Sequence, residues 1–190
     1  MRALDIRKSH DVILYEQGYG WYAERTAFVF RAFGHKNVRV LDGQLRKWQA
    51  EGRQTYVHAD VSKREDFDYV HNAEGEMEFE EIVKARDEGH VQHIDIRPAQ
   101  MLTSIGKIPN TINMQTLDFY AENGALKSKE ELQKMFADKK IDLHKPMVFS
   151  CNAGIMANTG RQAARIAGAT APTYLYDGSY MEYKAKNKDQ

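Results

Sequence analysis

The chain contains a single cysteine, Cys151, and the residues around it suit nucleophilic chemistry. Residues 147–150, directly before it, form an apolar run without alternation, which predicts a strand buried on both faces. A helix is predicted to begin near Ile155, so Cys151 lies in a tight loop with Gly154, a residue free to adopt backbone angles closed to others. Backbone N–H groups of such a loop and the helix N-terminus would stabilise a thiolate and an anionic group on its sulfur. The pattern predicts a site for a persulfide, a thiophosphate or a phosphate.

Other interpretations of Cys151 compete with this one. A lone cysteine is more often a small buried apolar residue, and that interpretation stays open. The position at the end of a central strand favours a ligand-facing site, because α/β folds bind their ligands there. Phosphoryl transfer of the tyrosine phosphatase or arsenate reductase type is disfavoured, since it needs an arginine six residues after the cysteine, and that residue is Ala157.

The histidines do not predict a metal site, because none pairs with a second ligand at the spacing that metal sites use. His90 and His93 flank the start of a predicted strand and are interpreted as surface residues. Trp21, Tyr22 and Trp48 are interpreted as core aromatic residues rather than a binding patch. Neither a metal nor a cofactor is therefore predicted. Six of the seven histidines lie scattered between residues 35 and 144: His35, His58, His71, His90, His93 and His144.

The chain contains an internal repeat. A shift of 135 residues brings the apolar run at Val12 onto the run at Met147, and Glu16 onto Cys151. The same shift superimposes two helical stretches, two β-rich runs that end in Asp-Gly, and an aromatic residue after each Asp-Gly. Each copy is predicted to form a strand, a helix, a second parallel strand and a short helix, the crossover unit of α/β folds.

Only the second copy has an upstream half. A helix over residues 78–86, a strand over 93–97 and an extended piece over 111–114 precede a helix that a Ser128–Glu131 capping box opens. We therefore predict a partial unit over residues 1–52, a linker over 53–75 and a complete domain over 76–190. Because eleven residues precede Val12 and about seventy precede its counterpart Met147 in the second copy, the first unit is expected to have an open sheet edge. Something must cover that edge, and a protein partner is expected there.

Composition excludes several classes. Lysine plus arginine equals aspartate plus glutamate, 27 each, so no basic surface indicates nucleic-acid binding. No apolar run is long enough to span a bilayer. One cysteine excludes an internal disulfide and favours a reducing compartment. The first eight residues have no signal-peptide core, and they are too short, with the acidic Asp5 among them, to indicate a transit peptide, so they do not decide the location.

Several motifs resemble the rhodanese family, specifically its two-domain thiosulfate and 3-mercaptopyruvate sulfurtransferases. One stretch, residues 30–43 followed by Trp48, resembles the end of the family's N-terminal domain. The rest resemble its second domain: Asp95-Ile96-Arg97, Ile108-Pro109, Ile112-Asn113-Met114, Asp118-Phe119-Tyr120, residues 130–136, Lys145-Pro146 and Tyr176-Asp177-Gly178-Ser179. The resemblance implies an α/β fold with a parallel sheet flanked by helices, in one complete C-terminal copy and a partial N-terminal copy.

The resemblance also implies a function. Cys151 would accept sulfane sulfur as a persulfide and pass it to a thiophile, with a small sulfur donor and acceptor as substrates. Arg97 is the candidate for binding the substrate's negative charge. The active-site loop would comprise Asn152, Ala153, Gly154, Ile155, Met156 and Ala157. The family's range favours a mitochondrial location weakly over a cytosolic one.

Departures from the family pattern predict weak or lost turnover. The residues after the cysteine are commonly basic or Gly-Ser in the family, and here they are Asn152 and Ala153. Other departures are Met156, Met101, Lys107 and Asn110. Each lost charge-assisted contact reduces catalysis. The alternative function is a non-catalytic accessory subunit of a larger assembly, in which the fold serves for docking.

Overall fold

The computed structural model describes residues 6–56 and 75–187, and the chain divides into two compact units. The N-terminal unit comprises residues 1–74 and 123–125, and the C-terminal unit comprises 75–122 and 126–190. Most of the predicted linker, and His58 and His71 within it, lie outside the described residues. The predicted boundaries at 52 and 76 therefore stay a prediction.

In the N-terminal unit, the described residues form two strands and two helices. Strand β1 (Val12–Leu14) is followed by α1 (Trp21–Ala32), β2 (Val38–Val40) and α2 (Gln44–Ala50). The two strands pair in parallel, with Val12 opposite Val38. Helix α1 packs on this pair through Ala27 and Phe30, so the core lies on one face of the small sheet.

The C-terminal unit contains a four-stranded parallel sheet in the order β4-β3-β5-β6. Glu76 adds an isolated parallel bridge to Leu175 of β6. Its elements, in chain order, are α3 (Phe79–Asp87), β3 (Gln92–Asp95), α4 (Ala99–Ser104), β4 (Ile112–Asn113), a 3₁₀ turn (Thr116–Phe119), α5 (Lys129–Asp138), β5 (Met147–Ser150), α6 (Ala157–Ala167), β6 (Thr173–Leu175) and α7 (Ser179–Lys186).

Local sequence accounts for these elements. All four residues of β5 are buried, as an apolar run without alternation predicts for a central strand. The capping box before α5 is confirmed: Glu131 donates its backbone N–H to Ser128 Oγ, and Ser128 donates its own to the Glu131 carboxylate. Helix α6 contacts the sheet closely because Gly160 has no side chain, and a Cβ there would lie 2.7 Å from Phe149.

The internal repeat is present in the structure. The shift of 135 residues brings β1, α1, β2 and α2 onto β5, α6, β6 and α7. The correspondence extends to backbone conformation, since Gln44 and Ser179, which open the last helix of each copy, both have positive φ, 58° and 52°. The predicted α/β class with a complete C-terminal copy and a partial N-terminal one is confirmed. Among the described residues, no helix combines the length and apolarity that a membrane span requires.

Candidate active site

Cys151 lies at the carboxyl end of β5, between two neighbouring strands, and its side chain is buried, with 1% exposed. The loop after it emerges from the core and returns: Asn152 is half-buried, Ala153 is exposed, and Ala157 is buried as the first residue of α6. The structure therefore places seven of the eight residues predicted for the site, all but Arg97, in one strand–loop–helix connection. Their roles in chemistry stay a prediction.

Ser179, the first residue of α7, holds this loop in place. Its Oγ accepts hydrogen bonds from the backbone N–H groups of Cys151, at 3.0 Å, and Gly154, at 3.1 Å. The hydroxyl donates to the Tyr176 carbonyl at 2.9 Å and lies 4.0 Å from Cys151 Sγ. Because Ser179 is fully buried, these bonds fix the nucleophile's backbone without competition from water.

Gly154 meets two requirements at the centre of the loop. Its φ is +76°, in the left-handed region that side chains disfavour. A Cβ at this position would lie 2.4 Å from Asp177 Oδ1 and 2.5 Å from the Asp177 carbonyl oxygen. The Asp-Gly turn after β6 thus packs directly against the loop, and this contact leaves no room for a side chain at position 154.

Arg97 is buried and committed to neighbours within the C-terminal unit. Its guanidinium forms a bidentate pair with Asp95, with a shortest distance of 2.6 Å, and donates to the Gly106 carbonyl at 3.1 Å. The same group lies 4.1 Å from the centre of the Tyr180 ring. These contacts join β3, the segment before β4 and α7. The pair with Asp95 leaves Nη1 of Arg97 buried without a hydrogen-bond partner among the described residues. Substrate binding by Arg97 stays a prediction.

The N-terminal unit shows what the same connection does with a different residue at the cysteine position. Glu16, the counterpart of Cys151, accepts the backbone N–H groups of Gly20, Tyr22 and Ala23 at 2.9, 3.0 and 3.2 Å. Gln44, the counterpart of Ser179, accepts the N–H of Glu16 at 2.9 Å. The strand–loop–helix connection of this fold therefore offers its N–H groups to an anion, here a carboxylate.

Comparison with known proteins identifies the family of this fold. The family described as the rhodanese-like domain matches residues 78–186, more than half of the chain. The chain belongs to the rhodanese family. It is 35% identical over 174 residues to the thiosulfate sulfurtransferase of Gallus gallus, and 32% identical over 187 residues to the 3-mercaptopyruvate sulfurtransferase of Homo sapiens. These alignments cover 86% and 92% of this chain but 59% and 62% of those proteins.

Solved structures share this fold. The 3-mercaptopyruvate sulfurtransferase SseA from Escherichia coli superimposes with a TM-score of 0.85 at 27% identity, over 94% of this chain and 70% of that one. The anaerobic ergothioneine biosynthesis enzyme from Chlorobium limicola reaches a TM-score of 0.86 at 17% identity, over 99% of this chain and 52% of that one. At that identity the second match shows the fold alone.

Two exposed apolar residues belong to elements that contact the loop in this rhodanese, the 3₁₀ turn and α7. Leu117 and Met181 are half exposed or more, at 52% and 59%, and Met181 donates its backbone N–H to the Asn152 carbonyl at 3.0 Å. Met156 Sδ lies 3.9 Å from Thr116 Oγ1. From Cys151 to Ala157 there is no lysine or arginine. The loop of this rhodanese itself therefore has no cationic side chain for an anionic donor.

The prediction that His93 lies at the surface is wrong. His93 is the second residue of β3, with 1% of its surface exposed, and its Nε2 lies 2.8 Å from Ser150 Oγ, one residue before the cysteine. Burial is the main cause that lowers the pKa of His93 to about 3, and the Arg86 cation adds to the effect. The imidazole is therefore neutral at physiological pH. His90, in contrast, is exposed.

Sequence reasoning missed the roles of Ser179 and His93. The motif Tyr176-Asp177-Gly178-Ser179 contributed to the family resemblance, but its contact with Cys151 could not be predicted, because Ser179 and Cys151 are 28 positions apart in sequence. The repeat carried one usable signal, since it aligns Ser179 with Gln44. Within residues 6–56 and 75–187, no group of three or more metal-ligating side chains converges.

Proposed function

We propose that this rhodanese is a sulfurtransferase that carries sulfane sulfur as a persulfide on Cys151. The observation that carries the proposal is the strand-end loop that contains Cys151 and is fixed by Ser179. The equivalent loop of the N-terminal unit binds the Glu16 carboxylate through three backbone N–H groups. A persulfide anion has the same need for N–H donors. The names of the relatives support sulfur transfer as the reaction class.

The proposed reaction has two balanced displacement steps. The Cys151 thiolate attacks the outer sulfur of a donor such as thiosulfate, forming a new S–S bond while the donor's S–S bond breaks and sulfite leaves with the electron pair. A thiophile such as cyanide then attacks the outer sulfur of the persulfide and leaves as thiocyanate, which regenerates the thiolate. No external oxidant or reductant is needed.

The proposal includes a low rate with dianionic donors. Asn152 and Ala153 follow the nucleophile without a charged group, and Arg97 is held by Asp95. Charge-assisted contacts of the kind missing from this loop are worth a few kcal/mol in transition-state stabilisation. This chain spans less than two thirds of the length of the curated relatives named above. We therefore propose, for this chain, the activity and the kind of substrate that their names indicate.

Mass spectrometry of the intact chain after incubation with thiosulfate tests the first step. We expect one added sulfur atom on the wild type and none on Cys151→Ser, because the chain has no other cysteine. Cyanide should remove the added sulfur and yield one equivalent of thiocyanate. An unmodified wild type, or equal modification of both proteins, would refute the proposal.

A second candidate function is that of an accessory subunit in a reducing compartment such as the cytosol or the mitochondrial matrix. The exposed apolar residues of β1 and its end favour it: 54% of Ile13 and 59% of Tyr15 are exposed. Size-exclusion chromatography of extracts from the cells that make the protein would test it. We expect Cys151→Ser to elute in the same large complex as the wild type and Ile13→Asp to elute as a free chain. Elution of the wild type itself as a monomer would rule out this role.

A further inference from the structure

Two exposed apolar residues of the C-terminal unit lie at the carboxyl edge of its sheet. More than half of the surface of Leu117 and of Met181 is exposed. Leu117 belongs to the 3₁₀ turn that follows β4, and Met181 belongs to the first turn of α7, which follows β6. Cys151 follows β5 of the same parallel sheet. Because the carboxyl ends of parallel strands meet at one edge, both residues lie at the edge where α/β folds bind their ligands.

Helix α7 is bonded to the Cys151 loop at the position of Met181. The backbone N–H of Met181 donates to the Asn152 carbonyl at 3.0 Å, and the N–H of Tyr180 donates to the Cys151 carbonyl at 3.1 Å. The Tyr180 hydroxyl in turn donates to the carbonyl of Ile105, a third exposed apolar residue. These bonds fix the backbone of Met181 one hydrogen bond away from the residue that follows the nucleophile.

The 3₁₀ turn that carries Leu117 contacts the other end of the same loop. Thr116, the residue before Leu117, places its Oγ1 3.9 Å from Met156 Sδ. Met156 is the last residue of the loop, directly before the first residue of α6. The elements that carry Leu117 and Met181 therefore contact the two ends of the connection that begins at Cys151.

The charges on these elements disfavour an anionic ligand. Residues 151–157 and 116–119 contain no lysine or arginine. Each of the two elements that contact the loop carries an acid in its first turn, Asp118 in the 3₁₀ turn and Glu182 in α7. Helix α7 has its lysines in its last turn, and the Lys127 ammonium donates to the Asp118 carbonyl at 2.7 Å. An anion at the loop thus gains no cationic side chain from it and has an acid at the start of each neighbouring element.

We infer that the Cys151 site delivers its sulfur to an uncharged apolar thiol, whose hydrocarbon part contacts Leu117 and Met181. Exposed apolar side chains beside a reactive group favour such an acceptor, because binding removes both apolar surfaces from water. The acidic first turns and the lack of a cation in the loop select against a carboxylate or sulfonate on the acceptor. This specificity rests on the proposed function, a persulfide on Cys151, and names the class of its acceptor.

The transfer to a thiol is balanced without an oxidant or a reductant. The acceptor thiol gives its proton to the outer sulfur of the Cys151 persulfide and becomes a thiolate. The thiolate attacks that outer sulfur, a new S–S bond forms, and the S–S bond of the persulfide breaks with its electron pair left on Cys151 Sγ. The product is an alkyl hydropersulfide, and the Cys151 thiolate is restored.

Sulfur removal by three matched thiols tests this specificity. The full chain is loaded with thiosulfate, and mass spectrometry of the intact chain follows the loss of the added sulfur to 1-propanethiol, 3-mercapto-1-propanol or 3-mercaptopropionate. These thiols share one carbon chain and differ in polarity and charge. The same loaded chain unfolded in urea gives the intrinsic reactivity of each thiol. Relative to that reference, we expect 1-propanethiol to react roughly fivefold faster than 3-mercapto-1-propanol, and 3-mercaptopropionate to react slowest.

Three variants of the chain complete the experiment. Leu117→Ser and Met181→Ser should each lower the relative rate of 1-propanethiol by about two- to threefold and leave that of 3-mercaptopropionate unchanged. Tyr22→Ser, a matched change of an exposed apolar residue in the N-terminal unit, should keep the wild-type rates. Circular dichroism verifies that all three variants fold.

The outcomes separate this specificity from the proposed function. Equal relative rates of the three thiols on a loaded wild type, or an unchanged preference in both Leu117→Ser and Met181→Ser, would overturn the specificity and leave persulfide formation standing. A wild-type chain that takes up no sulfur from thiosulfate would refute the proposed function, and the specificity with it.

Discussion

At the scale of single residues, the nucleophile depends on groups that lie far from it in sequence. The backbone N–H groups of Cys151 and Gly154 share one acceptor, Ser179 Oγ. The counterpart pair in the N-terminal unit, Glu16 and Gln44, repeats the first of these bonds with a longer side chain. Ser179 is therefore a positioning residue, which acts on the cysteine through the loop backbone.

Replacement of Ser179 by alanine should slow persulfide formation beyond any effect on stability. The change leaves two buried N–H groups without their acceptor, and each loss costs about 1–3 kcal/mol. We expect Ser179→Ala to fold less stably and to load sulfur from thiosulfate at least about tenfold more slowly, since the loop is no longer held in its reactive geometry.

Ser128→Ala provides the control, because it removes a helix cap distant in the fold from the loop at a cost of about 1 kcal/mol. Urea unfolding gives the stability of both variants, and time-resolved mass spectrometry gives the loading rate. If Ser179→Ala loaded sulfur as fast as Ser128→Ala, the positioning role would be wrong.

Alanine substitutions at Gly154 and Gly89 distinguish the cost of backbone strain from the cost of a steric contact. Both have positive φ, +76° and +71°, but a Cβ at Gly89 has nothing within 4 Å, whereas at Gly154 it meets Asp177. Alanine at either position costs about 1 kcal/mol for the left-handed backbone. We expect Gly154→Ala to lose about a further 1–3 kcal/mol from the Asp177 contact, measured as the difference in free energy of unfolding in urea. Equal losses at the two sites would contradict this account of the loop.

At the scale of elements, the pairing of β3 with β5 brings His93 to Ser150. The two residues are 57 positions apart in sequence, and the parallel register sets them 2.8 Å from each other. Strand pairing thus buries a histidine that its flanking residues alone would leave at the surface. Burial lowers the pKa of His93, so the folded chain holds its imidazole neutral. Protonation of His93 in the unfolded chain therefore reduces the stability of the fold at acidic pH.

The pH dependence follows from the direction of the shift. The unfolded chain binds a proton at His93 below its ordinary pKa of 6.5, and the folded chain binds it only below about 3. Stability should therefore fall as pH falls from 6.5, by about 1.5 kcal/mol at pH 5, before most carboxylates titrate. We expect His93→Gln to lose this slope between pH 6.5 and 5 in urea unfolding. His90→Gln, at an exposed position, should keep it, and a wild-type curve that is flat in this range would disprove the assignment.

At the scale of the whole molecule, the two copies of the repeat differ in what covers them. Four elements of each copy correspond at one shift, which is why the sequence alone predicted the repeat, the parallel strands and the position of Cys151. In the C-terminal copy, the face of β5 lies under α3 and Ile108. In the N-terminal copy, Ile13 occupies the position of the fully buried Val148, and 54% of Ile13 is exposed among the described residues.

The sequence by itself determined the local pattern: a buried strand, a loop with Gly154, a helix, and their second copy with Glu16 in place of the cysteine. These follow from periodicity, from turn residues and from a capping box, which act over a few residues. Only the tertiary structure decided that Ser179 holds the loop, that Arg97 is paired with Asp95 in the core, and that His93 is buried. Such facts depend on which distant segments pack together, because burial and hydrogen-bond partners are set by strand order and register rather than by the neighbouring residues.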